Sequence, residues 1–428
     1  MSNRWIILAA GVVMQTILGG IYAWSTFTPW LELSHGISKG QSASIFGLTI
    51  AVFALVMNLA GRVLTKRGPR FTASIGAVLF MCGYLFASFS NGSFPLLMLS
   101  LGLVVGAGIA FGYVCPLSVG MKWFPERKGL VTGVAVAGFG GGAVILSSVS
   151  QHFILGGMEV LEFFRLYGLL TGIALLVSAS FLADPAPRKR IPKGKGKEEV
   201  YSVPFAIIML GMFAGTFAGL LIVGNLAPLG IKAGLSEGQA VSAVAIFAIG
   251  NAIGRVVWGQ MFDYLSYRCI PLSLGCFSIF SLLLLLPLPV WMLLLTIGLL
   301  GFCFGANFVV YASTISNVFG VESFPRLYPI CFLAYGVAGI VGPGIGGYLA
   351  DYTGSYNTAL YISAAIVFLA GVLATIKLDT FELKQLEGDV TPDEEVLISE
   401  DLKYNICSDT YKGLKASTSK AYPRASFQ

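Results

Sequence analysis

The sequence predicts an all-α integral membrane protein with twelve transmembrane helices arranged as two six-helix repeats. Three observations carry this. Of the 428 residues, 56% are hydrophobic and only 11% are charged, against about 25% charged in an ordinary globular protein. Twelve apolar stretches each suffice to cross about 30 Å of hydrocarbon. The two halves of the chain also echo one another in residue spacing.

The stretches fall at about 5–29, 41–64, 71–91, 94–121, 129–152 and 161–183 in the first half. In the second they fall at 202–230, 238–262, 269–289, 290–318, 326–350 and 356–377. The first begins almost at the N-terminus and is full length. No short apolar core with a small-residue cleavage site precedes it, so no removable signal peptide is read. Basic residues gather in alternate loops: Lys66, Arg67 and Arg70; Lys122, Arg127 and Lys128; Arg188 to Lys197; Arg268; Arg326. The opposite loops carry mainly Lys39, Arg165 and Lys232. Positive charge marks the cytoplasmic side, so both termini are expected in the cytoplasm; the expected location is the cell (inner) membrane. The expected division is a first half at 1–183, a Pro/Gly/Lys-rich linker at 184–201 and a second half at 202–377. A tail at 378–428, acidic and then Lys/Ser/Thr-rich, is expected to be disordered.

The repeat is explicit in one place. Ile37-Ser-Lys-Gly-Gln-Ser-Ala-Ser44 opens the second stretch, and Leu235-Ser-Glu-Gly-Gln-Ala-Val-Ser242 opens the eighth. The spacing from Gln41 to Gly61 equals that from Gln239 to Gly259. Each glycine leads to a charged turn. The first holds Lys66, Gly68 and Arg70, and the second holds Asp263. An acid at a helix end can latch the N-terminus of a neighbouring helix. Gly61, Lys66, Gly68, Arg70, Gly259 and Asp263 are therefore expected to serve gating.

One residue breaks the repeat. Arg255 sits about two turns inside the eighth stretch, where an arginine costs at least about 3 kcal/mol on insertion scales. In register it corresponds to Met57, and Asn251 to Phe53. Asn251 shares its face one turn earlier. Gly250 and Gly254 allow another helix to approach closely. An arginine can also snorkel to the interface or bond helix-end carbonyls, but Trp258 and Gly259 separate this one from the polar turn. A guanidinium matches a carboxylate in two-pronged geometry.

Polar and aromatic residues in the other central stretches complete a candidate cavity. They are Gln15, Tyr22, Trp24 and Ser25; Tyr113; Phe139; Phe304, Asn307, Phe308 and Tyr311; Phe332 and Tyr335. Singly, each is as well explained by packing or an interface belt. Around one arginine they describe an apolar box with a few hydroxyls and one cation. That composition suits a small carboxylate with a short apolar tail.

Other classes find no support. No His-Glu-x-x-His, Gly-x-Ser-x-Gly or phosphate-binding loop is present, so no enzyme, cofactor or metal is expected. The glycine runs at 138–142 and 339–347 lie inside apolar stretches and are read as close helix packing. The net charge of +6 resides in loops that set topology, so no nucleic-acid partner is expected. The seven cysteines have no metal-site spacing and are read as packing residues. The two histidines, His35 and His152, are too isolated for a relay.

The parallel six-plus-six repeat resembles the major facilitator superfamily. Gly61, Lys66, Gly68 and Arg70 match its signature turn, with Thr65 and Pro69 as departures. A narrower resemblance rests on Asn3-Arg4-Trp5, Tyr22-Ala-Trp-Ser25, Lys122-Trp-Phe-Pro-Glu-Arg-Lys-Gly129 and Gly250-Asn251 to Trp258-Gly259. Ser313-Thr314, Asn317-Val-Phe-Gly320 and Arg326-Leu-Tyr328 continue it. These are similar to the oxalate/formate antiporter family, itself similar to monocarboxylate transporters, including bacterial lactate carriers. The resemblance implies alternating-access transport. It places the substrate arginine at Arg255 and an aromatic cage at Tyr22, Tyr113, Phe139, Phe304, Phe308 and Phe332. The oxalate exchanger's second cation falls on Tyr335, and the proton-coupling aspartate of animal monocarboxylate transporters falls on Asn251.

The expected function is thus secondary transport of small monocarboxylates such as lactate or pyruvate, with proton symport implied by the resemblance. The expected partners are a small carboxylate anion, a proton and the lipid bilayer, with the carrier monomeric. The alternatives are an organic-anion antiporter of the oxalate/formate type and a membrane sensor signalling through the tail.

Overall fold

The computed structural model describes residues 3–185 and 200–389. Most of the expected linker and all of the tail beyond 389, with Cys407, lie outside the described residues. The chain divides into the units Met1–Thr375 and Ile376–Gln428. The second is described only to 389, and that part is helical.

The first six helices are α1 (Arg4–Thr26), α2 (Lys39–Arg67), α3 (Pro69–Ser88), α4 (Phe94–Trp123), α5 (Lys128–Leu155) and α6 (Val160–Phe181). The next six are α7 (Val203–Gly224), α8 (Glu237–Leu265), α9 (Cys269–Leu283), α10 (Val290–Val318), α11 (Phe324–Thr353) and α12 (Asn357–Asp389). Short helices Thr28–His35 and Leu226–Lys232 follow α1 and α7 at matching points of the two halves. No strand occurs among the described residues. One continuous apolar stretch, Gly238–Leu283, contains both α8 and α9, which are divided by a tight turn at Ser266–Arg268. Ser266 there adopts a φ of 53°. Beyond Leu378 the backbone stays helical to Asp389, where Phe381-Glu-Leu-Lys-Gln-Leu-Glu387 consists mostly of good helix formers.

The repeat has a local cause. Ser38 caps α2 by accepting from the Gln41 amide at 3.2 Å, and Gln41 Oε1 accepts from the Ser38 amide at 3.0 Å. Ser236 and Gln239 do the same for α8, at 3.4 and 3.0 Å. Both are capping boxes, which satisfy amides a helix start leaves unpaired. They set the start of the two mate helices at the same register.

Two of the quoted sequence motifs meet in space. Phe124 of the Trp-Phe-Pro turn packs edge-on against Trp5 with ring centres 5.2 Å apart. Arg4 lies over Phe124 and reaches Glu126 at 3.2 Å. Lys122 pairs with Asp184 at 3.1 Å, and Trp123 Nε1 donates to the Ala183 carbonyl at 2.7 Å. The start of α1, the turn after α4 and the end of α6 are thereby tied at one end of the first half.

The halves meet along two mate interfaces, α2 with α11 and α5 with α8. Glycine makes both possible. A Cβ on Gly61 would strike the Pro325 carbonyl, and one on Gly259 would strike the Gly129 carbonyl.

Candidate functional site

Arg255 is the centre of the α5–α8 contact. It is buried at 2% exposure, so it does not snorkel. Its Nη1 donates to the Val136 carbonyl of α5 at 2.7 Å, and its Nε donates to Asn251 Oδ1 at 3.2 Å. Its guanidinium carbon stands 4.7 Å from the centre of the Phe308 ring of α10, a cation–π distance. Among the described residues it has no acidic partner. A guanidinium has five N–H donors, and the protein engages two of them here.

Glycines seat this side chain. A Cβ on Gly140 would lie 3.2 Å from Arg255 Nη1, and one on Gly133 would meet the Arg255 carbonyl. Gly138 and Gly142, from the same run, pack against Val12 and Thr16 of α1. Gly250 and Gly254 bring α8 against the Gly298 and Phe302 carbonyls of α10. Trp258 Nε1 donates to the Phe302 carbonyl at 3.1 Å. This close approach is what puts Phe308 under the guanidinium.

The rings form one connected cluster. Phe139 packs edge-on against Tyr22 at 5.5 Å and Tyr113 at 5.1 Å. Phe332 lies 5.7 Å from Tyr113 and 4.9 Å from Tyr335. Tyr335 lies 5.3 Å from Phe308, and Phe308 lies 5.4 Å from Phe304. Tyr22 and Tyr335 share a hydroxyl hydrogen bond of 2.8 Å from one half to the other. Tyr22 also borders a cavity of about 340 Å³ lined with Trp24, Ser25, Thr28, Ala43 and Phe46. Ala43 and Phe46 lie near the start of α2, at the opposite end from the Gly61 and Gly259 crossings.

Tyr311 stands apart. A Cβ on Gly211 of α7 would lie 2.8 Å from its hydroxyl, and its neighbour Asn307 lies against Gly215 in the same way. Phe304 fills the space over Gly219. These three side chains share a face that packs onto three glycines spaced four residues apart, while Phe308 turns toward Arg255. Gln15 donates from Nε2 to the Tyr113 carbonyl at 3.2 Å and supports that residue. Trp24 donates to the Ser42 carbonyl at 2.9 Å and lines that cavity.

Two further ring residues escaped the sequence reasoning. Phe53 touches Tyr113 and Phe332, both at 5.2 Å, and lies 6.1 Å from Phe139. The repeat register held the signal, because Phe53 is the mate of Asn251. Tyr328 lies 5.7 Å from Phe332.

The gating candidates lie at the opposite end from the cavity. Asp263 accepts from the Gly129 and Leu130 amides at the start of α5, at 2.7 and 2.9 Å. Lys128 donates to Asn317 of α10 at 3.1 Å, and Lys122 comes within 4.0 Å of Glu322. Gly68 has a φ of 83°, which only glycine adopts freely. Lys66 and Arg70 are exposed.

The histidines are peripheral. His35 Nε2 meets Glu159 Oε1 at 2.7 Å, beyond the end of α1. Burial alone would raise the Glu159 carboxyl. His35 and the Leu161 and Glu162 amides outweigh it and hold the group below the ordinary carboxylate range. Six cysteines are free thiols. No group of three or more His, Cys, Asp or Glu suited to a metal occurs among the described residues.

Known proteins resemble this chain in sequence and fold. The chain matches the profile of the Major Facilitator Superfamily over residues 8–272 and 208–400. It is 28% identical to the oxalate:formate antiporter of Oxalobacter formigenes, over 88% of this chain and 91% of that one. It is 28% identical to apicoplast pyruvate carrier 1 of Toxoplasma gondii, over 77% and 81%. It is 24% identical to monocarboxylate transporter 11 of Mus musculus, over 85% of each. The fold matches the E. coli fucose:proton symporter with a TM-score of 0.68 at 13% identity, covering 87% of this chain and 99% of the symporter. These relatives and neighbours are transporters, not enzymes. On the profile match and the shared fold, the chain, a multi-pass membrane protein, belongs to the Major Facilitator Superfamily.

Proposed function

We propose that this transporter carries small monocarboxylates of the lactate and pyruvate kind by alternating access, with Arg255 as the anchor and a proton as co-substrate. One observation carries the reading. A buried arginine at the meeting of the two halves has no acidic partner among the described residues and is ringed by aromatic side chains. A guanidinium held by a carbonyl and an amide oxygen keeps donors for a carboxylate. The rings supply an apolar wall for a short tail, and Asn251 orients the guanidinium through Nε. The pyruvate and monocarboxylate carriers among the relatives point the same way. We place the protein in the cell membrane, and by the charge of its loops both termini face the cytoplasm. Asp263 and the glycine crossings would then close its cytoplasmic end.

Exchange of organic anions is the second reading, favoured by the relative that is an oxalate:formate antiporter. Against a dianion stands Tyr335, whose hydroxyl is bonded to Tyr22 and supplies no second cation.

Uptake of labelled L-lactate into proteoliposomes separates them. Accumulation driven by an inward proton gradient, and lost when the gradient collapses, is the expected result. Movement only into vesicles preloaded with an organic anion would replace symport by exchange. No movement of any monocarboxylate under either condition would overturn the reading.

A further inference from the structure

Two pairs of tyrosines face each other between the halves, and all four lie within electrostatic reach of Arg255. Tyr22 of α1 meets Tyr335 of α11 beside the cavity that Trp24 lines. Tyr113 of α4 faces Tyr328 of α11. Tyr328 precedes Tyr335 by two helical turns, about 10 Å along the axis. It therefore lies deeper, toward the crossing of Gly61 and Pro325. Phe332 stands between the levels and touches Tyr113, Tyr328 and Tyr335.

The pairs differ in how their hydroxyls are satisfied. Tyr22 and Tyr335 bond each other at 2.8 Å. The Tyr328 hydroxyl lies by Tyr113 yet has no hydrogen bond of sound geometry, and the residue is 0% exposed. Its ring stacks on Phe324 at 4.9 Å and 15°, a contact that phenylalanine would make as well. A buried hydroxyl without a partner costs stability, and buried polar groups in native proteins nearly always have partners. Packing does not explain this one. The hydroxyl belongs to the ring cluster that runs through Phe332, Tyr335 and Phe308 to Arg255, where a bound molecule would complete it.

We propose that Tyr328 reads the substrate: its hydroxyl bonds an oxygen on carbon 2 of the carried acid while Arg255 holds the carboxylate. The site then selects short 2-hydroxy and 2-oxo acids over acids lacking that oxygen. This rests on the monocarboxylate reading above. A phenol hydroxyl both donates and accepts, so it serves a hydroxyl and a keto oxygen alike. It is neutral, so it suits a neutral oxygen and not a second carboxylate. The rings around Phe332 stand 4.9 to 5.7 Å apart. A long spacer between the two polar ends does not fit among them. A plain alkyl tail would leave the hydroxyl buried and unpaired in the loaded state too, which is how such sites reject analogues lacking a polar group.

The test is calorimetric titration of the purified full chain with L-lactate, pyruvate and propionate, three acids of equal carbon count. The parent is expected to prefer lactate and pyruvate over propionate. In Tyr328→Phe that preference should fall by about threefold to tenfold, the worth of one neutral hydrogen bond. Its propionate affinity should stay at the parent's value, and its melting temperature should equal or exceed the parent's because an unpaired buried hydroxyl is removed. Ser363→Ala, which removes another unpartnered buried hydroxyl on α12, should leave the preference unchanged. An unchanged preference in Tyr328→Phe, or an equal loss for all three acids, overturns the inference. A parent that binds all three alike also overturns it and leaves the monocarboxylate reading standing. A parent that binds none overturns both.

Discussion

The interfaces α2–α11 and α5–α8 are repeats of one design with different chemistry. Both begin from a serine–glutamine capping box and both cross at a glycine whose Cβ would strike a carbonyl of the partner helix. At α2–α11 the middle is apolar: Met57 is buried and Phe53 packs against Phe332. At α5–α8 the same positions are Arg255 and Asn251, bonded to each other, with Arg255 also donating to the Val136 carbonyl. At the ends, Thr65 bonds the Gly61 carbonyl of its own helix at 2.9 Å. Its mate Asp263 bonds the opposite half. Backbone proximity is therefore common to both interfaces, and charge was added to one. The lesson is that close packing makes the carrier's frame, while a single polar seam specialises it.

The sharpest way to break the comparison is at its centre. Arg255→Lys keeps the charge but loses the planar fork, and carboxylate uptake should fall by about a hundredfold or more. Met57→Leu, at the mate position, should stay within about twofold because volume and polarity are kept. Uptake measured alongside melting temperature checks both. Normal uptake by Arg255→Lys would sink the anchor role.

The crossings come next. Gly61→Val and Gly259→Val each drive a side chain into a backbone carbonyl, and each should slow transport by about tenfold through overpacking. Similar losses in the two variants would support a shared frame. A loss in only one would show that the interfaces are not equivalent. Initial rates at saturating substrate are the readout.

The smallest effect belongs to the helix-end acid. Asp263→Asn removes an anion from the start of α5, worth about 0.5–1 kcal/mol. The transport rate should shift by about two- to fivefold, with substrate affinity nearly unchanged. Thr65→Val, whose hydroxyl serves only its own helix, should shift it less. Equal effects of the two substitutions would erase the asymmetry between the ends.

The sequence alone determined the membrane class, the crossing helices and the repeat, because these depend on local properties. Apolar length, capping residues and the spacing between them act within a single helix. It also singled out Arg255, since a charge inside an apolar helix is conspicuous without any partner in view. The tertiary structure decided which faces of the helices meet. Tyr311 has the residue type expected of a cage member, yet it lies on the glycine stripe of α7. Phe53 and Tyr328 look like ordinary core residues in sequence, yet they join the ring cluster. On helices such as α10, apolar on every side, periodicity marks no inward face. The rotation of each helix is then set by the glycines of its neighbours, and their contacts appear only once the halves are packed together.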